Sequence, residues 1–206
     1  MNENGHFMAS FNYARGLMSA RFLNKNKTGL WIVDVQENLF SLVDRSYEVL
    51  EKICFTLEAS QKLSLPIFVS EQYPKGLGNT VQAIKERLPQ NQMIFSKTAF
   101  SGYCEPTIKQ EIDKMGIETW ILVGIEAHIC VLQTAKDLLD AGMGVVVLND
   151  AVSSRSMFDF STAMGELRDE GARLSSCETV IYELIRDSAF HEFKAILPLV
   201  KAYTHA

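Results

Sequence analysis

Three residues carry groups that could act together in covalent chemistry: the thiol of Cys130, the carboxylate of Asp34 and the amine of Lys97. Cys130 lies in Val-Gly-Ile-Glu-Ala-His-Ile-Cys-Val-Leu-Gln-Thr-Ala, residues 123–135. An apolar run, Trp120–Val123, stops at Gly124, and a helical pattern begins at Cys130 and runs to Leu139. The cysteine is therefore expected where a buried strand hands over to the first turn of a helix. Unpaired N–H groups and the positive end of the helix dipole meet there, which favours a nucleophilic thiolate. The same place also suits a small apolar residue filling the joint, because free cysteine is among the most buried residue types. Asp34 ends the apolar run Leu30–Val33, with Gln36 and Glu37 just beyond; taken alone it reads as a helix cap or a solvated strand end. Lys97 ends the short run Met93–Phe95, where a lysine is ordinarily just solvated. Together the three form a nucleophile set. Asp34 takes the thiol proton, Lys97 holds the carboxylate and stabilises the thiolate by charge, and Cys130 attacks a carbonyl-type carbon.

For that set to assemble, each residue must come at the C-terminal end of a parallel strand, the edge that carries the ligand crevice of open α/β sheets. The apolar patterning supplies such strands at Leu30–Val35, Pro66–Ser70, Met93–Phe95, Trp120–Val123 and Val145–Leu148, with a sixth around Arg173–Ser175. Helices are expected at Asp44–Leu63, capped by Asp44 or Ser46, and at Val81–Leu88. Others are expected from Pro106 to Met115-Gly116, from Cys130 to Ala141-Gly142, and over Asp159–Glu170, Glu178–Leu184 and Glu192–Val200. Alternating strands and helices imply right-handed crossovers. The expected fold is therefore an α/β three-layer sandwich with a mostly parallel, doubly wound, Rossmann-like sheet of order about 3-2-1-4-5-6. In that order strands one and four flank the point of reversal, so Asp34 and Cys130 become neighbours, and Lys97 reaches them over strand two. Neither GxGxxG nor a P-loop occurs, so the fold implies no nucleotide cofactor.

The blocks Ile32-Val33-Asp34-Val35-Gln36, Ser96-Lys97-Thr98-Ala99-Phe100-Ser101 and Gly124 to Ala135 resemble, in order, those of the isochorismatase-like cysteine hydrolases. The resemblance covers roughly Thr28 to Leu199. The stretch Glu71-Gln72-Tyr73-Pro74-Lys75-Gly76-Leu77-Gly78 and the segment Asp150 to Ser156 resemble the isochorismatase domain-containing subgroup. The resemblance implies a catalytic triad of Asp34, Lys97 and Cys130. It implies an oxyanion hole made by the backbone N–H groups of Glu126 and Cys130, and a cis peptide at Ile125–Glu126. It also implies a homo-oligomer. Tyr73, Phe40, Phe100 and Glu126 are candidate substrate-binding residues; His128 is expected to point elsewhere. Nicotinamidases of this family hold a metal in an Asp-x-His-x-His site after the second strand. Here that stretch reads Ser70-Glu71-Gln72-Tyr73-Pro74, and His6, His128, His191 and His205 have no zinc-ligand spacing, so no metal is expected.

The bulk properties fit this reading. At 206 residues the chain suits a single domain, expected over residues 28–206, preceded by an extension over 1–27. That extension carries Arg15, Arg21, Lys25 and Lys27 among apolar residues and reads either as an ordinary extension or as a mitochondrial-type presequence. A net charge of −5 gives no basic footprint for nucleic acid, and no apolar run approaches the ~20 residues of a membrane helix. Cys54, Cys104, Cys130 and Cys177 form no CxxC pair, which points to a reduced, cytoplasmic setting. The leading expectation is a metal-independent cysteine hydrolase that cleaves a C–N bond in a small molecule through a thioester, without a cofactor. The alternatives are a scaffold that kept the triad without turnover, a vinyl-ether-cleaving isochorismatase, and a redox sensor with Cys104 as resolving cysteine.

Overall fold

The computed structural model describes residues 22–204. Its strands are β1 Thr28–Val33, β2 Ile67–Gln72, β3 Phe95–Lys97, β4 Thr119–Ile125, β5 Gly144–Ser153 and β6 Arg173–Ser175. They form one sheet of order β3-β2-β1-β4-β5-β6, with every neighbouring pair parallel. The helices are α1 Glu37–Phe40, α2 Ser46–Lys62, α3 Pro74–Leu77, α4 Gln82–Lys85, α5 Pro106–Lys114, α6 Leu132–Asp140, α7 Met157–Asp169, α8 Cys177–Ile185 and α9 His191–Thr204. Among the described residues no helix is long and apolar enough to cross a membrane.

Period-two geometry splits each central strand between two cores. Leu30 and Ile32 of β1 and Ile121 and Val123 of β4 pack with α2 and α8 on one face of the sheet. Trp31, Val33, Trp120 and Leu122 pack with α5, α6 and α7 on the other. Every residue of β1 is buried, which is why its sequence reads as a continuous apolar run. The expected three-layer architecture and strand order are those observed.

Several boundaries differ from expectation. The third strand is not Met93–Phe95 but Phe95–Lys97, so Lys97 is itself a strand residue, in register with Gln72 of β2. β5 continues past Leu148 through polar Asn149 and Asp150, and its register against β4 slips between Leu122 and Gly124. Those polar residues hide the continuation from a hydropathy reading; the Asp150 carboxylate accepts the N–H of Cys177 at the start of α8. Neither Asp44 nor Ser46 caps α2. The capping position is Arg45, in the left-handed region at φ 48°, because Asp44 is held by its backbone to Ser153 and Ser154.

Helix α6 starts later than expected, at Leu132. Between it and β4 lies a turn of π-helix, Ala127–Val131, in which the Glu126 carbonyl accepts from Ile129 at 3.1 Å and Val131 at 3.2 Å. The longer second loop widens the turn, a geometry often found at functional sites. Of the expected extension over 1–27, residues 1–21 lie outside the described residues. The remainder is pinned: Leu23 donates to Glu183 at 2.7 Å, and Lys25 pairs with Glu192 at 2.8 Å.

Candidate active site

β1 ends at Val33, and Asp34 turns the chain off the sheet at φ 53°. Its carboxyl group is fully buried at this edge of the sheet. Oδ1 accepts from Ser70 Oγ at 2.8 Å, and Ser70 Oγ in turn accepts from Trp31 Nε1 at 3.2 Å. Lys97 arrives from β3 across β2, and its Nζ lies 2.7 Å from Asp34 Oδ2 with both side chains at 0% exposure. An ammonium has three N–H donors. Besides Asp34 Oδ2, those of Lys97 have Gln72 Oε1 at 2.7 Å, Phe100 O at 2.9 Å and Ala99 O at 3.1 Å within reach. The lysine thus stands against Oδ2 as a charge-assisted partner of the carboxylate, which also faces the Cys130 thiol.

Cys130 sits in the π-helical turn, 5% exposed, with its thiol interacting with both the Asp34 carboxylate and the Lys97 ammonium. Burial pushes the thiol well above its ordinary range, the Asp34 charge adds to that, and Lys97 opposes it. This corrects the expectation of a standing thiolate. Withdrawal from water and a facing carboxylate outweigh the lysine and the positive end of the turn. The resting group is a thiol beside a base.

Two glutamines frame the site. Gln36 is fully buried, and its carboxamide accepts from Gln72 N at 2.7 Å and donates to Gln72 O at 3.0 Å. It replaces the backbone partners that β2 loses where Asp34 leaves the sheet. Gln72 donates to Thr98 O at 2.8 Å, which aims its carbonyl oxygen at Lys97. Neighbouring Glu71 is turned to Thr80, accepting from its N–H at 2.6 Å and its hydroxyl at 2.8 Å. Sequence reading missed Trp31, Ser70 and Gln72 as site residues. The available signal was a polar run, Ser70-Glu71-Gln72, inside a buried strand end.

The other candidates scatter. Tyr73 is half exposed and lines an open cleft of about 410 Å³ with Pro74, Lys75, Ser96, Lys97, Thr98 and Glu105. Phe100 lines a neighbouring cavity of about 280 Å³ that also takes in Ser101, Cys104 and Asp137. Phe40 packs against the α2-side core, edge-on to Tyr47 with ring centroids 5.8 Å apart. Glu126 is buried, and its carboxylate accepts from Arg155 N at 3.0 Å and Arg155 Nε at 2.9 Å. The Ile125–Glu126 peptide is cis. His128 Nδ1 lies 2.9 Å from Ser154 Oγ. Cys104 is exposed and its thiol donates to Asp137 at 2.9 Å; all four cysteines are free. Among the described residues no three His, Cys, Asp or Glu side chains cluster to hold a metal ion.

This arrangement stands on a chain that matches the model of the isochorismatase domain over residues 28–179. The protein belongs to the isochorismatase family. Isochorismatase domain-containing protein 2 of Bos taurus is 39% identical, over 84% of this chain and 82% of that protein. Isochorismatase family protein 1A of Dictyostelium discoideum is 35% identical, over 86% of this chain and 87% of its own length. The solved structure of MAR1 ribonuclease from Caenorhabditis elegans superposes with a TM-score of 0.82 at 40% identity, covering 87% of this chain and 92% of that one. Membership places this protein among the isochorismatase-like hydrolases.

Proposed function

We propose that this protein is a cysteine hydrolase that cleaves an amide-type C–N bond in a small molecule, with Asp34, Lys97 and Cys130 as its catalytic triad. The observation that carries the reading is the fully buried Asp34 carboxylate, held by Ser70 and 2.7 Å from the Lys97 ammonium, which also faces the Cys130 thiol. Substrate binding completes the exclusion of water. The Cys130 proton moves to Asp34 as sulfur bonds to the carbonyl carbon and the carbonyl electrons pass to oxygen. The oxyanion is received by the N–H groups of Glu126 and Cys130. On collapse the C–N bond breaks, and Asp34 returns the proton to the leaving amine. Water then adds to the thioester with its proton going to Asp34, the C–S bond breaks, and that proton restores the thiol. Lys97 compensates the charge of the pair throughout. No metal ligand is assigned, since the side chains of Ser70, Glu71 and Gln72 are engaged with Asp34, Thr80 and Lys97.

The substrate enters by the cleft beside Lys97, where Tyr73 offers an aromatic wall. Phe100, on the neighbouring cavity, is proposed to border the pocket, whereas Phe40 belongs to the α2-side core and the Glu126 carboxylate is held by Arg155. The catalytic domain spans residues 28–206 behind an extension of 1–27. Four free cysteines support a reducing compartment, taken as the cytoplasm. We further propose a homo-oligomer, supported by exposed Leu42, Tyr47 and Phe158 on segments that the contacts of Asp44 with Ser153 and Ser154 bring together.

The test is an activity panel of small amides, carbamoyl compounds, isochorismate and RNA, with Cys130→Ala as the blank. RNA is included because of the name of the Caenorhabditis elegans relative; the net charge of −5 supplies no basic footprint for it. Amide or carbamoyl hydrolysis that vanishes in Cys130→Ala is expected. Turnover of isochorismate or RNA that survives the substitution would replace this reading.

A further inference from the structure

We infer that Ser70 is a positioning residue that orients the Asp34 carboxylate and favours its ionised form as the base, an inference that rests on the triad reading above. Ser70 is fully buried near the end of β2, directly beside Val33 in the β1–β2 register. Its hydroxyl has one proton, and that proton goes to Asp34 Oδ1 at 2.8 Å. The direction is enforced from behind. The Trp31 indole, which can only donate, points its N–H at Ser70 Oγ from 3.2 Å, so Ser70 accepts from Trp31 and donates to Asp34. Trp31 is itself immobilised, its ring packed edge-on to Phe68 and Trp120 and its six-membered ring facing Gly102, where even a Cβ would come within 2.4 Å.

A one-way relay, Trp31 to Ser70 to Asp34, therefore occupies Oδ1 and stabilises the ionised carboxylate. Oδ1 is held by Ser70 and Oδ2 stands 2.7 Å from the Lys97 ammonium, so the carboxylate is fixed at both oxygens beside the Cys130 thiol. The titratable groups at this edge are Asp34, Lys97 and Cys130. Tyr73, Lys75 and Glu105 stand along the adjoining cleft, and Glu71 is turned away to Thr80. Ser70 is uncharged, so it acts on the reaction only through Asp34.

The experiment reads the rate of Cys130 alkylation by iodoacetamide against pH, by peptide mass spectrometry, which requires no knowledge of the substrate. The acid limb of that profile reports proton uptake by the Asp34–Cys130 pair. Ser70→Ala removes the donor to the carboxylate and is expected to move the limb upward by about one pH unit. Ser70→Thr keeps a hydroxyl and is expected to restore the limb. Should the methyl group prevent folding, Trp31→Phe is the second variant; it leaves Ser70 in place and is expected to shift the limb in the same direction by less. Thermal melts confirm folding in each case. A limb unmoved in Ser70→Ala, while Asp34→Asn abolishes it, overturns the role of Ser70 and leaves the triad standing. A limb unmoved in Asp34→Asn as well overturns the triad reading beneath it.

Discussion

Cys130, Asp34 and Lys97 are expected to behave as one unit. Each of Cys130→Ala, Asp34→Asn and Lys97→Ala should lower turnover at least about a thousandfold, and the Asp34→Asn/Cys130→Ala double variant should be little worse than either alone. Steady-state kinetics on the first active substrate checks this; strictly multiplicative losses would break the unit apart. Stability separates Lys97 from Cys130. Lys97→Ala leaves the Asp34 carboxylate buried without its counter-charge, which costs about 3–5 kcal/mol, whereas Cys130→Ala removes a partly apolar group and should cost far less. Urea denaturation of the two variants reads the contrast. Because burial and Asp34 raise the Cys130 thiol, its alkylation rate should still be climbing above pH 9.0, the ordinary thiol value.

At the scale of elements, the site depends on how closely β1 and β4 approach. Gly124 lies opposite Val33, at φ 123°, and a Cβ there would meet the Val33 carbonyl oxygen at 2.0 Å. No side-chain movement can relieve a clash with the backbone of the last residue pair in the β1–β4 ladder. Gly124→Ala is therefore expected to cost at least about 3 kcal/mol and to push Asp34 and Cys130 apart. A melt within a degree or two of the parent would contradict it. Gln36 works at the opposite junction. Its two bonds to the Gln72 backbone replace ladder bonds where β1 has turned away, so Gln36→Leu should cost about 1–3 kcal/mol and lower turnover by loosening Gln72 and hence Lys97. Loss of stability with unchanged kcat would leave Gln36 a structural clamp only.

Across the whole molecule, Cys54, Cys130 and Cys177 are all buried, and desolvation raises each thiol above 9.0. The sign follows from proton counts. Above pH 9.0 the unfolded chain loses thiol protons that the folded chain retains, so folding stability falls as pH rises, by up to about 1.4 kcal/mol per pH unit for each cysteine. Stability measured by urea from pH 8 to 10.5 should decline, and Cys177→Ala should flatten the slope. A flat curve in the parent would show that the thiols ionise alike in both states. Assembly belongs to this scale too: light scattering at micromolar concentration should give more than one subunit, and Phe158→Asp should reduce that mass if the exposed apolar side chains form the contact.

The strand order, and with it the meeting of Asp34 with Lys97 over β2, was legible in the sequence. Both-face burial writes β1, β4 and β5 as apolar runs, and right-handed crossovers leave few ways to order them. The three reactive residues stood out because each interrupts or follows such a run. Other features depend on contacts that local pattern does not encode. Ser70 and Gln72 look like an unremarkable polar strand end until register sets them beside Asp34 and Lys97. The π-helical turn replaced an expected regular helix start because the Glu126 carbonyl accepts two N–H groups, a choice made by how the chain leaves β4. The thiol state was misjudged for the same reason. Sequence places Cys130 near a helix start, which favours a thiolate, but only the folded chain withdraws it from water and turns a carboxylate toward it. Patterning along the chain fixes which residues reach the sheet edge; burial and close approach, which are properties of the assembled edge, fix their protonation.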